Sequence, residues 1–196
     1  MSAIPNRERV LRAATASFLM DGYRSSVERI ARRAGVAKQT VYSHFPSKDH
    51  LFKEVARDLA KRVLVQLETD PEDLRGGLIR FAVAYRDRVL CAEGIAMFRT
   101  LVAEIPRFRS LARAIYHGAP GETAERLAAY LEKAMDAGRL RRDDARFAAE
   151  TLMSMLVGLD RIKRLYGVAR FVEGDLRQAT RIVDCFLRAY SIEARS

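Results

Sequence analysis

The chain has 196 residues, 49% of them hydrophobic, a formal net charge of +10 and a pI near 10.0. That length and apolar content exclude a disordered chain and allow one large or two small domains with a real core, while the charge favours an anionic partner, nucleic acid or an acidic membrane surface. Residues 1–46 carry 8 Lys and Arg against 3 Asp and Glu, so about a quarter of the chain holds +5 of the excess, and the anion-binding surface is expected there.

Apolar residues recur at helical spacing almost throughout, and the strong breakers fall between the periodic runs, so an all-α protein of about nine helices is expected. The first helix is predicted over about Asn6–Met20, burying Val10, Leu11, Ala14, Phe18 and Leu19, with Asp21-Gly22-Tyr23 ending it. A short helix follows in which Val27, Ile30, Ala31 and Ala34 share one face. Ser25 and Glu28 have the spacing of a capping box, with Ser26 as the competing N-cap. Gly35 suits the left-handed turn that would end this helix, and Ala31 before it lets a second helix cross closely.

On that next helix only Val41 and Phe45 point back to the core. Gln39, Thr40, Tyr42, Ser43 and His44 then face outward, with Lys38 at the exposed N-terminal end. Pro46-Ser47 introduces a longer helix to about Leu67. The run Asp70-Pro71-Glu72-Asp73 predicts the next start, with Asp70 as N-cap and Pro71 at the first helical position. That helix should reach about Leu90, and another should span roughly Glu93–Ile105 before Pro106. One broken helix or two adjacent ones follow, ended by Gly138, and two long helices close the chain at about Asp143–Tyr166 and Glu173–Ile192.

Two short helices around a tight turn, with polar side chains displayed on the second, form a helix-turn-helix pattern whose second helix enters the major groove of DNA. The displayed residues suit that task. Gln39 can bond bidentately to adenine, Lys38 to guanine or phosphate, and Thr40 can touch a thymine methyl. Tyr42, Ser43, His44 and Ser26 can hold phosphates.

The stretch "VERIARRAGVAKQTVYSHFPSKDHLF", with "AGV", "TVYSHF" and "SKDHLF" inside it, resembles the DNA-binding domain of the TetR family of bacterial transcriptional regulators, from Val10 to about Phe52. Further on, "AEIPRFRSLARAIY" is similar to the C-terminal domains of multidrug-efflux-type, AcrR-like members. Two positions depart from the family pattern. Ala37 stands where the family usually has a capping Ser or Thr, a loss of about 1 kcal/mol, and Gln39 stands where many members have a small residue.

The resemblance implies a DNA-binding domain over residues 1–46 and a helical ligand-binding and dimerisation domain over 47–196. It implies a homodimer on a near-palindromic, double-stranded operator, most often as a repressor released by a small-molecule effector. By the same resemblance Lys48 reaches a phosphate, and the last two helices pair with those of a partner subunit. Stripes at Leu152, Met155, Leu156 and Leu159, and at Ile182, Phe186 and Ala189, are the expected dimer face. The effector would lie among the middle helices, with Tyr85, Met97, Phe98, Leu101, Tyr116, His117 and Met135 as candidate lining. A ligand-blind architectural DNA-binding protein and a basic helical protein on anionic membranes are the alternatives.

No catalytic residue, metal ligand set or cofactor is expected. His44, His50 and His117 are the only histidines, and no HExxH, G-x-S-x-G or phosphate-binding Gly-rich loop occurs. The chain has no apolar run of the 18 or so residues a membrane span needs, and Arg and Glu interrupt its first apolar residues, so no signal peptide and a cytoplasmic location are expected. Cys91 and Cys185 fit no metal or redox spacing and are expected as buried thiols.

Overall fold

A computed structural model describes residues 4–64, 73–106, 109, 113, 116–117, 120–168, 172 and 174–192. Among the described residues there are nine α-helices and no strand. The helices are α1 (Asn6–Asp21), α2 (Val27–Ala34), α3 (Lys38–His44), α4 (Lys48–Leu64), α5 (Leu74–Leu90), α6 (Ala92–Glu104), α7 (Pro120–Asp136), α8 (Ala145–Leu165) and α9 (Leu176–Ala189), with a 3-10 turn at Gly22–Arg24 between the first two.

The chain divides into two compact units. One holds residues 1–59 and 96–119, the other 60–95 and 120–196, so the cut between them falls within α4 and α6. In the first unit α1, α2 and α3 pack against one another, around a core of Val10, Ala14, Phe18, Ile30, Val41, Phe45, Leu51, Phe52 and Val55. The Phe18 and Phe52 rings meet edge to face at 4.9 Å, and Tyr23 meets Phe52 at 5.1 Å. Such pairs add about 0.5–1.5 kcal/mol each beyond the area they bury. Met97 from α6 closes the same core.

In the second unit α7 packs on α8, α9 packs on α5, and α5 also meets α8. Its core is built from Leu78, Phe81, Leu127, Leu131, Leu152, Leu156, Val183 and Phe186. Caps set the bounds of these helices. Asp73 accepts from Gly76 N at 2.8 Å, so α5 begins at Leu74, and the Asp70-Pro71 start expected from the sequence lies outside the described residues. Gly138 adopts φ +65°; its N–H donates to Met135 O at 3.0 Å and that of Arg139 to Ala134 O at 2.8 Å, which satisfies the last carbonyls of α7. Asp144 and Asp175 cap α8 and α9 in the same way as Asp73 caps α5.

Helix α8 is not straight. Gly158 departs from helical geometry (φ 11°, ψ −115°), and all the buried residues of α8, from Ala148 to Val157, precede it. Beside this kink the buried Arg86 donates through Nη1 to Leu156 O at 2.5 Å and through Nη2 to Asp160 at 3.0 Å. A side chain serving a carbonyl at the break is a recognised companion of helix kinks. The expectation of buried thiols is corrected: Cys185 is exposed on α9, and Cys91, in the junction between α5 and α6, is half-buried.

Candidate nucleic-acid interface

The α2–turn–α3 segment follows from its residues. Ser26 is the N-cap of α2, its hydroxyl accepting from Arg29 N at 3.2 Å. The capping box expected at Ser25 does not form, since Ser25 turns inward and is buried, one residue too early for the helix that begins at Val27. Val27, Ile30, Ala31 and Ala34 are buried as the periodicity requires. Gly35 takes the left-handed conformation (φ 66°, ψ 39°), its N–H bonding Arg32 O at 3.2 Å and that of Val36 bonding Ala31 O at 3.0 Å. That double bond closes the turn within two residues, and a Cβ at φ +66° would strain it.

Helix α3 begins at Lys38 after Ala37, which offers no side-chain cap. Along its seven residues only Val41 is buried (1% exposed), and Phe45 just beyond it is fully enclosed. Lys38, Gln39, Tyr42, Ser43 and His44 are exposed, and Thr40 is half-buried. The Ser43 hydroxyl donates to Thr40 O at 2.9 Å, which leaves its lone pairs outward.

Two cations of this face are held in place. The Lys38 ammonium pairs with Glu28 of α2 and also lies 5.9 Å from the centre of the Tyr42 ring. The hydrogen bond from Lys38 is the main reason the Glu28 carboxyl is lowered to about 2, with further help from its own backbone N–H. Lys48, the first residue of α4, sits 4.3 Å over the Tyr23 ring, and the Tyr23 hydroxyl donates to Asp49. Ser47 caps that helix by accepting from His50 N at 3.0 Å. Lys48 therefore stands at a helix start whose amides and dipole favour an anion.

Other basic residues tie the motif together. Arg9 donates to Gly35 O at 3.1 Å, Arg33 to Ser17 at 3.1 Å, and Arg29 pairs with Asp21 at 3.2 Å. Glu28 was expected only as a capping partner and Tyr23 only at a helix end, not as the partners of Lys38 and Lys48. Opposite charges flanking a tight turn at 28 and 38 were the available signal for the first; nothing in the spacing pointed to the second.

The expected dimer face needs correction. Leu152, Leu156 and Phe186 are all 0% exposed and belong to the core of their own unit, so they present nothing to a partner. Both helices carry apolar residues on more than one side, and the expected stripes straddle the boundary, their inner members filling the core. Leu159 is 66% exposed, Ala189 is exposed and Ile182 half-buried. Met155 and Ile162 on α8 are exposed beside Leu159, and a surface groove lined by Met155, Arg181, Ile182, Cys185 and Arg188 runs alongside.

The proposed effector lining is dispersed. Met97 belongs to the core of the first unit and Met135 to that of the second, where both act as apolar filling. Tyr85 is half-buried and stacks on Phe81 at 5.4 Å; burial raises its phenol above the ordinary value, which nearby Arg161 partly opposes. Phe98 is half-buried, Tyr116 and His117 are exposed and lie edge to face at 5.4 Å, and the Leu101 side chain lies outside the described residues. Among the described residues no group of three or more His, Cys, Asp and Glu could hold a metal ion, and no helix is long and apolar enough to cross a membrane.

Comparison with known proteins gives two family matches, one after the other along the chain. Residues 10–55 match the N-terminal model of the bacterial regulatory proteins of the tetR family, and residues 76–192 match the AefR-like transcriptional repressor C-terminal domain, an assignment that does not extend to the AcrR-like likeness read from the sequence. A TetR-family transcriptional regulator from Mesorhizobium loti MAFF303099 is 29% identical and superposes with a TM-score of 0.80, over 95% of this chain and 97% of that one. The flavonoid-responsive regulator FrrA is 31% identical, with a TM-score of 0.76 over 96% and 98% of the two chains. YhgD, an uncharacterized HTH-type transcriptional regulator of Bacillus subtilis (strain 168), is 36% identical over 62 residues, 31% of this chain, a match that spans about a third (32%) of its own length. With one family model over the helix-turn-helix and another over most of the remaining chain, this protein belongs to the TetR family of transcriptional regulators.

Proposed function

We propose that the protein is a dimeric, ligand-responsive repressor that binds a near-palindromic operator and is released from it by a small-molecule effector. The observation that carries this reading is α3 itself: a helix anchored by Val41 and Phe45 alone, with Lys38, Gln39, Tyr42, Ser43 and His44 all turned outward. In this reading Gln39, Lys38 and Thr40 meet base edges, while Ser26, Tyr42, Ser43, His44 and Lys48 hold phosphates. Residues 1–46 read DNA, and residues 47–196 sense the effector and pair the subunits.

The dimer face is assigned to the outer residues Met155, Leu159, Ile162, Ile182 and Ala189, whose exposure leaves them available to a second copy. Effector release requires that the ligand bind the DNA-free state better than the DNA-bound one. The description of FrrA as flavonoid-responsive, at 31% identity over nearly the whole chain, supports a small organic effector here; Tyr85 is the first residue to test against it.

Binding selection on randomised duplex DNA, followed by salt titration on the selected site, tests the reading. A palindromic consensus and a steep fall of affinity with salt are expected, with a log–log slope of about −0.9 per phosphate neutralised. Lys48→Ala should weaken binding to all sequences alike and flatten the slope by about that increment per subunit. Recovery of no sequence preference would leave a generic anion binder and end the proposal.

A further inference from the structure

A carboxylate stands where the proposed DNA face otherwise gathers donors. Glu28 lies exposed in the first turn of α2 and pairs with the ammonium of Lys38, the first residue of α3. Lys38 is at the same time 5.9 Å from the Tyr42 ring centre, and the Ser26 side chain also reaches Glu28. Two residues placed on the DNA face, Ser26 and Lys38, therefore converge on this one acidic group, and a third, Tyr42, lies beside the lysine. An exposed ion pair adds little to stability, so the fold does not account for it.

Its effect on DNA is of a different size. Non-specific binding consists almost entirely of cations meeting phosphates, so every lysine available to the backbone strengthens all sequences alike. A lysine held by a neighbouring carboxylate meets a passing phosphate as half of a neutral pair. At an operator the same ammonium has a better partner, the O6 and N7 edge of a guanine. The pair is thereby given up only where the sequence compensates for it.

We infer that Glu28 is a specificity-determining residue, which withholds Lys38 from backbone phosphates and so lowers affinity for non-operator DNA more than for the operator. The inference rests on the DNA-binding reading above and concerns discrimination rather than binding itself.

Fluorescence anisotropy with the full chain tests it, using the selected operator duplex and a scrambled duplex of equal length over a range of salt. Glu28→Gln keeps the shape of the side chain and removes its charge. It should steepen the salt slope on scrambled DNA by about 0.9 per subunit, as one further phosphate is neutralised, and narrow the operator-to-scrambled affinity ratio. Made on a Lys38→Ala background, the same substitution should change neither quantity. An unchanged ratio and slope for Glu28→Gln overturn the inference, as does an equal effect with and without Lys38, which would reduce Glu28 to general repulsion. A wild-type chain with no preference for any duplex would instead sink the DNA-regulator reading on which the inference stands.

Discussion

Helices α3 and α8 use apolar residues in opposite ways. Over seven residues α3 buries Val41 and leaves the remainder facing outward, with only Phe45 beyond it as a second anchor. Over 21 residues α8 buries Ala148, Ala149, Leu152, Leu156 and Val157, yet it still shows Phe147, Met155, Leu159 and Ile162 to the outside. A helix with one narrow apolar stripe can sit in only one orientation, so its outer face is determined. A helix apolar on several sides has an inner and an outer stripe, and periodicity alone does not rank them. The DNA-reading face is thus a consequence of scarcity, and the pairing face is a choice among surpluses.

The sharpest test of that contrast places the two stripes of the second unit against each other. Phe186→Ala, in the inner stripe, should lose about 3–5 kcal/mol of stability in a denaturant titration, the usual cost of emptying a large aromatic site in a core. Leu159→Glu, in the outer stripe, should change stability by no more than about 0.5 kcal/mol and instead yield folded monomers by sedimentation. Unchanged stability in Phe186→Ala, or a dimer with Leu159→Glu, would reverse the two assignments.

A smaller effect is expected on α3. Gln39→Ala should relax the preference at one base pair of each half-site by about 1–3 kcal/mol, with the salt slope nearly unchanged. An unaltered consensus after binding selection would move base reading to Lys38 and Thr40. Smaller again, Ala37→Ser should add the missing cap of α3 and raise stability by about 1 kcal/mol, read as a higher unfolding midpoint; no rise would mean that the backbone at position 37 does not present the hydroxyl to the helix.

The last prediction concerns protons. The Glu28 carboxyl titrates near 2 in the folded protein against an ordinary 4.5, held down first by the Lys38 hydrogen bond. A depressed acid stabilises the fold above its ordinary value, and that contribution disappears as pH falls through about 2. Carboxyl NMR should show a midpoint near 2 that climbs toward the ordinary range in Lys38→Ala; a midpoint already ordinary in the wild type would mean that the pair does not persist in solution.

The first unit was legible for reasons that can be named. Gly35 needs a left-handed backbone, Ala31 and Ala34 are small, and Val41 with Phe45 leaves a single possible inner face; each is a local requirement that a sequence states openly. Even there two caps stayed open, because Ser25 and Ser26 are chemically identical candidates, and tertiary burial decides for Ser26. In the second unit, Leu152, Leu156 and Phe186 had the right spacing for an interface and went to the core, since the filling of that core depends on α7 and on α5, the latter far off in sequence. The Lys48–Tyr23 contact was hidden for the same reason, joining side chains from separate elements whose approach no periodicity encodes, whereas the Glu28–Lys38 pair left a trace in the opposite charges flanking the turn.

The kink at Gly158 divides α8 into an anchored stretch and an outboard one. Everything buried in the helix precedes the joint, and a methyl group at Gly158 would meet nothing within 4 Å. Arg86 serves the carbonyl at the break and pairs with Asp160 just beyond it, so positions 86 and 158 both bear on the aim of the last two turns. A substitution at Gly158 would redirect Leu159 and Ile162 without crowding the interior. A protein built this way has an adjustment screw in its sequence: its descendants can change what that surface meets, and at what angle, without first having to rebuild the fold.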